Sequence, residues 1–244
     1  MSYLQPSDPV EGHTAKAFDA ALSDLRLQIV AMGGLVIDQV SSAVRALLDG
    51  DAALADMVLS REEKVNELES FVDREAFRLI ALHQPMAGDL RMAKAASRIT
   101  VELERAGDEA KKIAKFANRL ATGEPQGPVH AVARYLRHMA ELTNGMLRDA
   151  VRSLDESDDK LARGVSARDS ELDAEFAAAL RQLLTLAMQD ARFLGATIDT
   201  VFALKGLERI GDHAKNIAEQ VVFVGSGEDV RHMKKKIEAG TAEK

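Results

Sequence analysis

The sequence predicts an all-α protein built as a tandem repeat of two antiparallel three-helix bundles, six long helices in all. Three observations predict it. Apolar residues recur at spacings of three and four through most of the chain. A fifteen-residue segment of the first half returns in the second. Turn-forming residues are confined to a few short clusters, with five Pro in 244 residues, two of them in the first ten.

Residues 1–15 read as a disordered arm. The first helix starts near Phe18, where Leu22, Leu25, Ile29, Met32, Val36, Val40, Val44 and Leu47 form one apolar stripe. Gly50 and Asp51 end it, with Asp51 as N-cap of the next. The second helix carries Val58, Val65, Leu68, Val72 and Leu79 and stops near His83, because Pro85 disfavours helix in the residue before it. The third runs from about Met86 to Leu120, ahead of the Gly123–Pro128 turn cluster. The second half repeats the plan. One helix spans about Val129–Leu154, a polar break follows at Asp155–Asp159, and the next carries Leu172, Phe176, Leu180, Leu183 and Leu186. The last covers about Arg192–Val224 and ends at Gly225–Gly227. This divides the chain into an arm (1–15), a first bundle (16–122), a second (128–226) and a charged tail (227–244). Helices longer than 30 residues reach roughly 45 Å, and short turns force them to pack antiparallel to bury their stripes.

Composition narrows the function. Aromatics are 4 % and Trp is absent, so Ala, Leu, Val, Ile and Met fill the core, which suits close helix packing. With no Cys there is no disulfide, thiolate zinc site or cysteine nucleophile. The polar start lacks the basic and apolar regions of a signal peptide, and no uninterrupted apolar run nears the roughly 20 residues of a bilayer span, so a cytoplasmic location is expected. A net charge of −7 disfavours nucleic acid and suits cations or basic partners. The Lys234–Lys236 run reads as part of a solvated tail.

The repeat is specific. Leu103–Ala117 aligns with Leu207–Val221, nine of fifteen positions being identical at an offset of 104 residues. The identities include Glu104, Arg105, Gly107, Asp108 and Lys111, matched by Glu208, Arg209, Gly211, Asp212 and Lys215. Glycine inside a helix costs about 1 kcal/mol relative to Ala. Its retention as Gly107 and Gly211 suggests close approach by a backbone or a ligand.

Glu104 and Asp108 are four apart and share a helix face, as do Glu208 and Asp212. Like charges at that spacing repel, so something positive must answer them. Lys111 and Lys215 are one candidate, and a hard cation is the other. On the preceding helix of each half, Glu62 with Asn66 and Asp169 with Asp173 have the same spacing. Each bundle can therefore bring two facing pairs together, a set of oxygen donors for one or more cations. The alternative is an acidic surface bridged by Lys and Arg. His213 beside Asp212 joins a metal site or lies on the opposite face, since an adjacent position points about 100° away around the helix. His138 reads as a solvated side chain and His83 as a helix end. The sequence has no Glu-x-x-His pair, Walker-type loop, Gly-x-Ser-x-Gly or His-Glu-x-x-His.

Residues 207–219, Leu-Glu-Arg-Ile-Gly-Asp-His-Ala-Lys-Asn-Ile-Ala-Glu, resemble the signature of the PhoU family of phosphate-uptake regulators. The first-half copy, the Gln84-Pro-Met-Ala-Gly-Asp-Leu-Arg91 turn and the start Phe18-Asp-x-x-Leu22 are similar to it too. The resemblance covers about residues 16–225. It implies two three-helix bundles, no enzymatic activity, and repression of the phosphate-starvation response when phosphate is plentiful. The partners it implies are the phosphate ABC transporter and a sensor histidine kinase at the inner membrane; a homodimer is also expected. It further implies metal cations (iron or zinc, with manganese or magnesium also suited to oxygen donors) on Glu/Asp-x-x-x-Asp motifs, here Glu104–Asp108, Glu208–Asp212 and Asp169–Asp173. Asn66 stands where an Asp is expected and lowers the charge of the first site. Two other readings compete: a metal-dependent, carboxylate-bridged enzyme and a purely structural helical scaffold.

Overall fold

The structure, a computed structural model, describes residues 10–121 and 126–227. The described residues form helices and no strand: α1 (Val10–Asp49), α2 (Ala52–Ser60), α3 (Glu62–His83), α4 (Ala87–Ala121), α5 (Gly127–Ala131), α6 (Ala133–Glu156), α7 (Asp159–Val165), α8 (Asp169–Gln189) and α9 (Leu194–Ser226). The expected stripe of α1 is real: Leu25, Ile29, Met32, Val36, Val40 and Leu47 are all buried. Gly50 takes a left-handed φ of 65°, and Asp51 accepts a 2.9 Å hydrogen bond from the Leu54 amide, so chain reversal and N-cap fall where expected.

Several boundaries differ from the sequence reading, each for a local reason. Helix α1 begins at Val10, inside the expected arm, because Glu11, Ala15, Lys16 and Ala17 are good helix formers. The rest of that arm, residues 1–9, lies outside the described residues, as does the tail with Lys234–Lys236. The second helix of each half is two pieces. A turn at Arg61 separates α2 from α3, and a 3-10 turn at Ser166–Arg168 separates α7 from α8. Periodicity runs through such a kink because the apolar stripe continues on either side. The final break lies at Asp190, which caps the next turn by accepting from the Arg192 amide at 3.0 Å. By length and composition alone α1 is long and apolar enough to cross a membrane, although charged residues interrupt its apolar run. Its apolar stripe is nevertheless packed inside the protein.

Each half supplies three long helical rods, α1, α2/α3 and α4, then α6, α7/α8 and α9. The halves share one apolar core, not two separate ones. Helix α1 packs on α3 and α4 of its own half and on α6 of the other. Helices α4 and α9, which carry the repeated motif, pack along each other. They run antiparallel: Phe116 stacks on Phe202 at 6.0 Å, while Glu102 meets His213 near the motif. The contacts obey an approximate two-fold. Gly206 is the repeat counterpart of Glu102 and Glu109 that of His213, and a Cβ built on Gly206 would lie 3.6 Å from Glu109 Oε2. Duplication has thus placed the two motif copies face to face.

Candidate functional site

The kinks locate the acids. Glu62 is the first residue of α3 and Asp169 the first of α8, so both carboxylates sit at helix N-termini, where the helix dipole favours negative charge. Opposite them stand the motif lysines. Lys111 Nζ donates to Glu62 Oε1, and Lys215 Nζ donates to Asp169 Oδ2, each pair largely shielded from solvent. In both halves, therefore, the third rod reaches across to the first turn after the kink of the second.

The remaining acids crowd these pairs. Glu104 is held above the ordinary glutamate range by desolvation, then by the charges of Asp108, Glu69 and Glu62. Asp212 is raised by desolvation, then by Glu208 and Asp169, with Lys215 opposing. Asp173 is raised by desolvation, then by Asp169 and Glu208. Lys215 is raised too: desolvation would lower it, but its bond to Asp169 and the field of the acids outweigh that. Glu208 Oε2 lies 2.6 Å from Lys205 Nζ. The facing pairs are thus close enough to feel one another.

They do not form a cage. Among the described residues no group of three or more Asp, Glu or His is arranged to hold a metal ion. The predicted residues also open in different directions. Glu62 and Asn66 line a cleft of about 860 Å³ with Gln28 and Glu67. Asp108 and Asp212 line a second cleft, about 360 Å³, between α4 and α9. The donor set, carboxylates with one amide, has the chemistry of an oxygen-seeking cation site. In each set a lysine bonds one of the carboxylates.

The α4–α9 seam holds charged residues that periodicity alone did not single out. Glu102 Oε2 accepts from His213 Nδ1 at 2.7 Å and from Asn216 Nδ2 at 3.1 Å. Burial alone would raise the Glu102 carboxyl, but these bonds outweigh it and hold it below its usual value. Buried Glu109 pairs with Lys112 at 2.8 Å and with Arg209 at 3.4 Å. Glu102, Glu109, His213 and Asn216 differ from their repeat counterparts, whereas Arg209 is matched by Arg105. His213 therefore serves the seam. His138 stands 3.5 Å from Glu171, and His83 packs edge-on against Phe18 at 5.4 Å.

The protein atoms nearest the two motif glycines are side chains, not the backbone that the sequence suggested. A Cβ on Gly211 would collide with Leu172 Cδ2, and one on Gly107 would lie 3.2 Å from Gln39 Oε1.

Fold and site together define a class: an internally duplicated helical-bundle protein whose two motif helices pair at its centre, each half carrying a lysine-bridged acidic cluster. The PhoU domain model matches residues 29–117 and again 136–221, one match per half. The chain belongs to the PhoU domain family. It is 42 % identical over 223 residues to the phosphate-specific transport system accessory protein PhoU homolog of Pseudomonas putida, covering 91 % of this chain and 85 % of that one. The namesake from Pseudomonas aeruginosa is 40 % identical over 228 residues, covering 93 % and 92 %. The crystal structure of PhoU from Pseudomonas aeruginosa superposes with a TM-score of 0.80 at 40 % identity, over 86 % of this chain and 100 % of that one. The phosphate transport system regulatory protein PhoU from Streptococcus pneumoniae gives 0.79 at 26 % identity, over 87 % and 99 %.

Proposed function

We propose that this chain is a non-enzymatic, cytoplasmic regulator of phosphate uptake. It restrains the phosphate-starvation response in phosphate plenty by linking the phosphate ABC transporter to a sensor histidine kinase. The observation that carries this reading is the match of both halves, over nearly the full chain, to proteins named as accessory to the phosphate-specific transport system. The site is consistent with it. The clusters present carboxylates answered by lysines, a charge arrangement suited to binding. Deleting the gene should raise alkaline phosphatase in high-phosphate medium, and this chain should restore repression. Unchanged phosphatase in the deletion strain would overturn the reading. Pull-down with transporter and kinase tests the partners, and sedimentation tests the homodimer.

The acidic clusters support a second part of the reading, that each binds a metal cation in exchange for its lysine contact. Iron, zinc, manganese and magnesium all suit oxygen donors. The second cluster keeps four carboxylates, Asp169, Asp173, Glu208 and Asp212, whereas Asn66 weakens the first. Elemental analysis of protein loaded with Mn²⁺, Fe²⁺ or Zn²⁺ should show Asp212→Ala losing more metal than Asn66→Ala. Equal losses would refute that order, and no uptake by the unaltered chain would end the metal reading.

A further inference from the structure

The turn between α3 and α4 takes no part in either acidic cluster, yet it is built at a conformational cost. Gln84 takes a left-handed φ of 46° as the cap that ends α3, and Ala87, at the start of α4, takes one of 48°, which residues with a side chain rarely adopt. Between them sits Met86, 80 % exposed. Phe77, Leu82 and Leu90 are also exposed at this end of the hairpin, at 65 %, 64 % and 41 %. A turn that only reversed the chain would place glycine at the left-handed sites and a polar residue at the apex.

Charge says what this end fits. Residues 74–98 hold five Lys and Arg (Arg74, Arg78, Arg91, Lys94, Arg98) against two acids (Glu75, Asp89), in a chain of net charge −7. Arg78, Lys94 and Arg98 are exposed, set back from Met86 by two or more helical turns, with Arg78 bonding Glu75 at 2.7 Å. Arg91 donates from Nε to the Val224 carbonyl at 3.1 Å, tying the turn to the end of α9. The opposite hairpin end, between α8 and α9, exposes Leu184, Met188 and Leu194 without such a surplus. There Arg181 and Arg192 stand with two acids, Asp190, which Arg192 bonds directly, and Asp199, which pairs with Arg119 of α4.

We propose that the α3–α4 turn docks on an anionic lipid bilayer, with Leu82 and Met86 entering the boundary between headgroups and acyl chains and the arginines meeting lipid phosphate. Apolar side chains at a hairpin end with a basic collar are the arrangement of interfacial membrane contacts. The left-handed Ala87 and the exposed Leu82, Met86 and Leu90 at the end of the hairpin serve neither the core nor the acidic clusters.

The test uses the full chain. It has no Cys, so Met86→Cys accepts a single environment-sensitive fluorophore. Vesicles rich in phosphatidylglycerol should shift its emission to the blue, and vesicles of phosphatidylcholine alone should do so far less. Added salt should weaken the effect. In co-sedimentation, Leu82→Glu with Met86→Glu should reduce binding about tenfold or more, and Arg78→Glu with Arg98→Glu should also reduce it. Met188→Glu at the other end should leave it unchanged, and thermal melts should show all variants folded. No shift with anionic vesicles at low salt, equal loss from Met188→Glu, or an already blue-shifted label before vesicles are added would each overturn the proposal. Crosslinking of position 86 to a membrane protein, with lipid alone giving no shift, would overturn it in favour of a protein partner. The assay contains no transporter or kinase, so its failure leaves the regulatory reading standing.

Discussion

Lys215 Nζ donates to Asp169 Oδ2, joining the middle of α9 to the first turn of α8. Lys111 and Glu62 do the same in the first half. Lysine thus already does in each bundle what a cation would do: it offsets acids that face one another from neighbouring rods.

Replacing that lysine should expose the balance. Lys215→Met leaves Asp169 without its donor and removes one of the cluster's two lysines, the other being Lys205, at a cost of about 1 kcal/mol. For a chain of this size that is roughly 2–4 °C in Tm. Added Mn²⁺ or Zn²⁺ should recover more stability in Lys215→Met than in the unaltered protein. Equal metal-induced shifts in calorimetry would show that lysine and metal do not compete.

The pH dependence of Asp212 has a defined sign. Its folded pKa is raised, so the folded chain holds this proton to higher pH than the unfolded chain does. Stability is therefore lost as pH rises past the ordinary aspartate value of 3.8 and through the folded value. Asp212→Asn removes the penalty. Without metal, its Tm should exceed that of the unaltered chain at neutral pH, and the gap should close below the ordinary value. A lower Tm at neutral pH would mean that Asp212 is better compensated than its neighbours suggest.

Glu102 has the opposite sign. Its folded pKa is lowered, so its contribution is present above the ordinary glutamate value of 4.5 and is lost as pH falls through the folded value. Glu102→Gln keeps the shape but not the charge, and should cost about 1 kcal/mol at neutral pH. Chemical denaturation across pH checks this. A cost that persists undiminished in acid would rule out the charged pair as its origin.

Gly211 and Gly107 should respond differently to alanine. At Gly211 the new methyl runs into Leu172, a core side chain, and overpacking of this kind costs about 1–3 kcal/mol. At Gly107 the neighbour is the amide end of Gln39, which can yield, and alanine regains about 1 kcal/mol of helix propensity. Urea titration should rank Gly211→Ala well below Gly107→Ala, and matched midpoints would refute the packing account.

Much of this was legible because helices write themselves along the chain. The stripe from Leu25 to Leu47, the stop at Pro85 and the duplicated Leu-Glu-Arg-x-Gly-Asp all follow from neighbours within a few residues, or from comparing the chain with itself. The same local rule put Glu104 beside Asp108 and Glu208 beside Asp212 on one helix face. What it could not supply is what stands across from a face. Only packing brought Lys111 to Glu62 and Lys215 to Asp169, set His213 against Glu102, and put Leu172 where a Gly211 methyl would go. Those pairings join residues tens of positions apart, and they depend on the rotation and axial offset of whole rods, which no periodicity encodes. The kinks at Arg61 and Ser166–Arg168, unmarked by Pro or a break in the stripe, were likewise settled by how each second rod packs against its neighbours.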